Sequence, residues 1–118
     1  MVIGDNNLSW AQVGKEAFEA FMDYRSAIAM YMFIIEESIQ TANMGNWILF
    51  KANLYDKMKE NITYIRNELA QPLKDFSNGP VGYVAYPLNI CYSLFADATL
   101  KALDAQEVAI DELAKSTK

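Results

Sequence analysis

All three prolines of this 118-residue chain lie between positions 72 and 87. A proline inside an α-helix removes one backbone hydrogen bond and clashes with the preceding turn, so helices tend to end near it. The proline-free segments on either side carry apolar residues three and four positions apart, which is the spacing of a helix with one buried face. The proline distribution therefore predicts an all-α chain with one long Pro/Gly-containing connection at 72–87.

Local signals predict where the helices begin and end. Ser9 and Gln12 have the spacing of a capping box, which favours a helix start at Ser9. Gly45 is suited to a left-handed C-terminal residue, and Asn46 to the next N-cap. Pro72 is expected to end the second helix, and Pro87 suits the start of the third. We predict one domain over 1–118, a bundle of three long helices at 9–42, 46–71 and 88–115.

Two segments carry more apolar surface than such a bundle hides. Residues 27–35 are apolar on every side of the helix, although a membrane span needs about 20 such residues. The segment 83–88, at the start of the third helix, also carries more apolar residues than the bundle can bury. Large exposed apolar patches usually mark protein–protein contacts, so we expect oligomerisation to complete the bundle. The residues predicted to form this interface are Met30, Tyr31, Phe33, Ile34, Tyr83 and Tyr86.

The apolar excess is also compatible with two arrangements that need no second copy. In the first, the 72–87 connection or the C-terminal tail folds over residues 27–35 within a monomer. In the second, the apolar residues contact lipid or a hydrophobic ligand.

A ridge of small residues in the third helix would also let another helix approach closely. Its members are Ala98, Ala102, Ala105 and Ala109.

Composition removes most catalytic chemistry. The chain has no histidine and one cysteine, which excludes histidine-based catalytic dyads and triads, histidine metal sites and cysteine-clustered metal sites. Cys91 lies among apolar residues and is expected to be structural. Fifteen acidic residues against ten basic ones argue against nucleic-acid binding. The N-terminus resembles no secretory signal, so the expected location is cytoplasmic.

Carboxylates are the remaining candidates for chemistry. Glu36 and Glu37, with Asp56 and Glu60, are the residues that a magnesium- or manganese-dependent hydrolase would use. Four acids on the third helix form a second group, which the basic residues of the second helix could complement across a subunit contact. The acids are Asp104, Glu107, Asp111 and Glu112, and the bases are Lys51, Lys57, Lys59 and Arg66.

These observations favour a non-enzymatic helical protein without cofactor, metal site or catalytic residues. It is expected to act by self-association or protein–protein contacts, as a homo-oligomer or as a subunit of a larger structural assembly. A small helical protein that holds a hydrophobic ligand is the first alternative. A carboxylate-metal hydrolase is the second.

Overall fold

A computed structural model describes residues 3–43, 45 and 54–116. Helices account for nearly all of these residues, and no strand occurs among them. The fold is therefore all-α, as the proline distribution predicts. The helices are α1 (Ile3–Asn43), α2 (Tyr55–Tyr64), a π-helical segment (Ile65–Ala70), α3 (Gln71–Asn78), α4 (Pro80–Val84) and α5 (Leu88–Ser116).

The molecule is a rod with dimensions of 68 × 17 × 17 Å. Helix α1 has 41 residues and runs along most of that length, since a helix rises about 1.5 Å per residue. The middle run (55–78) consists of α2, the π-helical segment and α3 without interruption. It packs against both α1 and α5.

The helix boundaries agree only partly with the sequence predictions. Helix α1 begins at Ile3, six residues before the predicted cap at Ser9, because a Ser–Gln cap is worth only about 1 kcal/mol and nothing in 3–8 stops a helix. Gly45 has a positive φ of 94°, as expected of a residue that ends a helix. The predicted cap at Asn46 and the start of the second helix lie outside the described residues.

The prediction that Pro72 ends the second helix is wrong. The helix continues through it to Asn78, so 72–78 does not belong to a connection. The reason is the π-helical segment, whose hydrogen bonds span five residues and which ends with the Gln71 N–H donating to the Arg66 carbonyl oxygen. Pro72 follows directly, at the point where the hydrogen-bond spacing changes from that of a π-helix to that of an α-helix.

The remaining part of the predicted connection contains α4 and a turn at 85–87 before α5 begins at Leu88. Gly82 brings α4 close to the end of α3. A Cβ atom at this position would lie 2.4 Å from the Phe76 carbonyl oxygen and 2.5 Å from that of Ser77. Only glycine permits this close approach of the α4 backbone to the end of α3.

The core follows the rod axis and draws side chains from α1, the middle run and α5. Phe21 of α1 stacks on Tyr92 of α5 with ring centroids 4.3 Å apart, and its edge contacts Phe95 at 5.7 Å. These contacts place the Phe21 region of α1 beside the first two turns of α5. The largest fully buried apolar side chains are Ile28, Ile35, Met58, Ile62, Ile65, Leu73, Leu103 and Ile110.

Candidate interaction surface

The outer side of α1 carries large apolar side chains. Ile28 and Ile35 are buried and define the inner side of this helix. Met30 and Phe33 follow Ile28 by two and five positions, which turns them by about 200° and 140° around the axis at 3.6 residues per turn. Both are 61% exposed, and Ile34 beside them is 45% exposed. We call Met30, Phe33 and Ile34 the α1 patch.

Tyr31 differs from the rest of the predicted interface residues. It is only partly exposed and packs against the core, where its ring lies 5.0 Å from that of Tyr64. Its position three residues after Ile28 brings it to the inner side of α1. The interface role of Tyr31 stays a prediction, but this residue does not share the outward position of Met30 and Phe33. A run that is apolar on all sides does not reveal which side faces the core.

The two predicted tyrosines outside α1 are exposed. Tyr83 is 62% exposed and Tyr86 68%, and both line a surface cavity of about 240 Å³ between the α4 end of the rod and the first turns of α5. The alternative that the 72–87 connection covers the α1 patch is not supported, since Met30 and Phe33 stay exposed with α4 and the turn in place. The cavity is also lined by Asn78, Asn89, Ile90, Ser93 and Leu94.

Helix α5 has a second outward apolar surface that extends the predicted alanine ridge. Tyr92, Ala96, Leu103 and Ile110 face the core. The α5 seam, as we call the exposed residues on the opposite side, follows three- and four-residue steps. Its members are Cys91, Leu94, Ala98, Lys101, Ala105 and Val108.

The α5 seam contains Cys91 and two residues that were not predicted to be exposed. Cys91, expected from the sequence to be structural, is exposed, because the neighbouring Tyr92 occupies the inward position. Leu94 and Val108 are each 62% exposed and were not predicted as interface residues. Leu94 and Val108 each lie seven residues from the charged Lys101, so all three face the same side of α5. This side differs from that of the core residues Leu103 and Ile110, and the spacing could have identified both residues from the sequence.

Ion pairs join α5 to the middle run within one chain. The Lys59 ammonium lies 3.1 Å from a Glu107 carboxylate oxygen and 3.3 Å from Asp111 Oδ1. Arg66 pairs with Asp104 at 3.0 Å and with Glu107 at 3.5 Å. Asp104, Glu107 and Asp111 therefore have basic partners in their own chain, so pairing these acids requires no contact across subunits. Lys51, the fourth predicted base, lies outside the described residues.

Hydrogen bonds in this ion-pair group shift three protonation equilibria. The Tyr55 hydroxyl donates to Asp111 Oδ1 at 2.8 Å, which lowers the pKa of Asp111 and raises the pKa of Tyr55. The hydrogen bond to Glu107 raises the pKa of Lys59, against a smaller opposing effect of burial. All three shifts favour the protonation states seen in this group: a neutral Tyr55 that donates to a charged Asp111, and a charged Lys59 beside Glu107 and Asp111.

The carboxylates suggested for metal-dependent hydrolysis are exposed. Glu36, Glu37, Asp56 and Glu60 all point to solvent, and Glu60 lies 3.7 Å from the Lys57 ammonium. Within 3–43, 45 and 54–116, no three acidic or cysteine side chains lie close enough to hold a metal ion. The hydrolase hypothesis therefore has no ligand set in this part of the chain.

Comparison with models of protein families, with curated protein sequences and with solved structures gives no match to this chain. None of the helices in the described part of the molecule is long and apolar enough to cross a membrane.

Proposed function

We propose that this protein is a non-enzymatic helical subunit that works by self-association, in which further copies cover its outward apolar surfaces. The α1 patch carries the proposal. Met30 and Phe33 occupy positions opposite the buried Ile28, where a helix in a monomeric bundle normally presents polar residues to water.

Exposure of these side chains to water is energetically unfavourable. Full burial of one large apolar side chain is worth about 1.5–3 kcal/mol. The α1 patch holds three such side chains within two turns, and its neighbours on the same helix include Ala29, which is also exposed. Burial of the patch against a second copy supplies a driving force for association without any change in the core.

The three-helix arrangement predicted from the sequence belongs to this proposal. In it, α1, the middle run (55–78) and α5 form one bundle, and the partner subunit covers what this bundle leaves exposed. The ion pairs of Lys59 and Arg66 are already satisfied within the chain. This supports association through apolar contacts rather than through these charges.

Light scattering coupled to size exclusion tests the proposal. The wild-type chain, of 13.4 kDa, is expected to elute as a multiple of that mass at high micromolar concentration. Phe33→Gln should shift the particle toward the monomer, because it places an amide in the centre of the α1 patch.

Phe18→Gln is the matched control, since Phe18 is another exposed phenylalanine of α1, about 22 Å from Phe33 along the helix. Circular dichroism should show the same helix content for both variants. A monodisperse wild-type monomer refutes the proposal. Equal effects of the two substitutions would show that the α1 patch is not the contact.

A further inference from the structure

We infer that the α5 seam binds a second copy of this chain in the antiparallel orientation, with Leu94 of one copy on Ala105 of the second and Val108 on Cys91. The inference rests on the proposed self-association and names its partner surface and geometry. It concerns a different surface from the α1 patch, so the two can be tested separately.

The spacing of the α5 seam suits a helix of the same kind. Its residues recur at three- and four-residue steps, the pattern that keeps one side of a helix facing a neighbour over several turns. Ala98 and Ala105 are exposed and small, so a second helix axis can approach closely there. Among the described residues this side of α5 is exposed, because the inward positions of the helix are those of Leu103 and Ile110.

Side-chain size favours the antiparallel orientation. The two large exposed residues, Leu94 and Val108, lie near opposite ends of the seam, and each has a small seam residue three positions before it. Antiparallel pairing places each large side chain opposite a small one, Ala105 or Cys91. Parallel pairing places large against large and small against small, which separates the helices at Leu94 and leaves gaps at Ala98.

Charge favours the same orientation. Lys101 is exposed in the middle of the seam, and parallel pairing would set it against Lys101 of the second copy. Antiparallel pairing sets it at the height of Ala98 and beside Asp97 of the second copy, and moves the two Lys101 positions about 4.5 Å apart along the axis. Like charges that face each other oppose association, whereas opposite charges favour one orientation. The Asp97 carboxylate lies 2.9 Å from the Lys74 ammonium of its own chain, which holds it at this height.

The charged end of α5 agrees with this register. Beyond Val108 the outward positions are Glu112 and Lys115, which lie 3.9 Å apart in the same chain. In the antiparallel register Glu112 lies at the height of Pro87 and Lys115 at that of Val84 of the second copy, beyond the seam. In the parallel orientation each would face the same residue of the second copy, so that like charges would meet.

Disulfide cross-linking distinguishes the orientations without a bulky probe, because Cys91 is the single cysteine and is exposed. In the antiparallel pair the two Cys91 thiols are about 25 Å apart along the axis at 1.5 Å per residue, so wild type cannot cross-link. Val108→Cys introduces a thiol opposite Cys91 of the second copy. Treatment with diamide should then give a covalent dimer whose disulfide joins positions 91 and 108, as identified by peptide mass spectrometry.

Two variants serve as controls. Val108→Cys combined with Cys91→Ser should lose the cross-link, because no thiol remains opposite position 108. Lys57→Cys places an exposed thiol on α2, away from the seam, and should not form the dimer.

A wild-type dimer linked through two Cys91 residues would show parallel pairing and overturn the inference. Absence of the 91–108 link, while light scattering still shows an oligomer, would overturn the inference and leave the proposed function standing. A monomer by light scattering would overturn both.

Discussion

Replacement of Gly82 by alanine should weaken the fold at the contact between α4 and α3. The new Cβ would lie 2.4 Å from the Phe76 carbonyl oxygen and 2.5 Å from that of Ser77, whereas ordinary contacts begin at 3.4 Å. Helix α4 would have to retreat by about 1 Å, since both obstacles are backbone atoms rather than flexible side chains. Overpacking of this kind costs about 1–3 kcal/mol, and we expect roughly 2 kcal/mol for Gly82→Ala.

Gly14→Ala is the matched comparison, because it makes the same chemical change in α1 with no atom within 4 Å of the new Cβ. Alanine in a helix interior is preferred over glycine by about 1 kcal/mol, so this variant should be more stable than wild type. Urea denaturation followed by circular dichroism measures both free energies of unfolding. If Gly82→Ala matched or exceeded the wild-type stability, the close approach of α4 to the Phe76 and Ser77 carbonyls would be refuted.

Two further predictions concern a buried hydroxyl and the ion-pair group. Tyr92 is 3% exposed, and its hydroxyl is buried without a hydrogen-bond partner among the described residues. Tyr92→Phe should therefore raise the free energy of unfolding by about 1 kcal/mol while keeping the stack on Phe21. A free energy of unfolding below that of wild type would contradict this prediction. For pH, the lowered pKa of Asp111 contributes stability above its unfolded pKa of about 4, lost as pH falls through the folded pKa. The raised pKa values of Lys59 and Tyr55 contribute below about pH 10, lost as pH rises through the folded values. Urea titrations should show a lower free energy of unfolding at acid and at alkaline pH. In Asp111→Asn the loss of stability at acid pH should be slightly smaller, because the wild-type side chain is 41% exposed and contributes little. If this loss were the same as in wild type, Asp111 would not be its source.

The sequence predicts the helix class and several helix ends because those depend on local chemistry. Pro87 lies immediately before α5, and the positive φ of Gly45 follows the end of α1, both as expected. Pro72 is the counterexample. A proline ends a regular α-helix, but the π-helical segment before it changes the hydrogen-bond spacing, and no residue type in 65–70 indicates that change.

The candidate surface is predictable where exposure follows from a surplus of apolar residues, as in the α1 patch. It is less predictable where orientation decides. The sequence pattern does not distinguish Tyr31 from Met30, although adjacent residues of a helix point about 100° apart. The same rotation separates Cys91 from Tyr92. Partners distant in sequence, such as Lys59 and Glu107, depend on the height at which α5 packs on the middle run, which no local pattern encodes.

The π-helical segment also sets how the later residues of the middle run are rotated about the helix axis. It holds an additional residue relative to an α-helix, so positions after Ala70 are turned by about 100° compared with an uninterrupted helix. Loss of one residue between 65 and 70 would restore regular helical hydrogen bonds, yet it would turn Leu73 away from the core and Lys74 away from Asp97. The side of the middle run that faces the core after Ala70 is thus determined by a length difference of one residue.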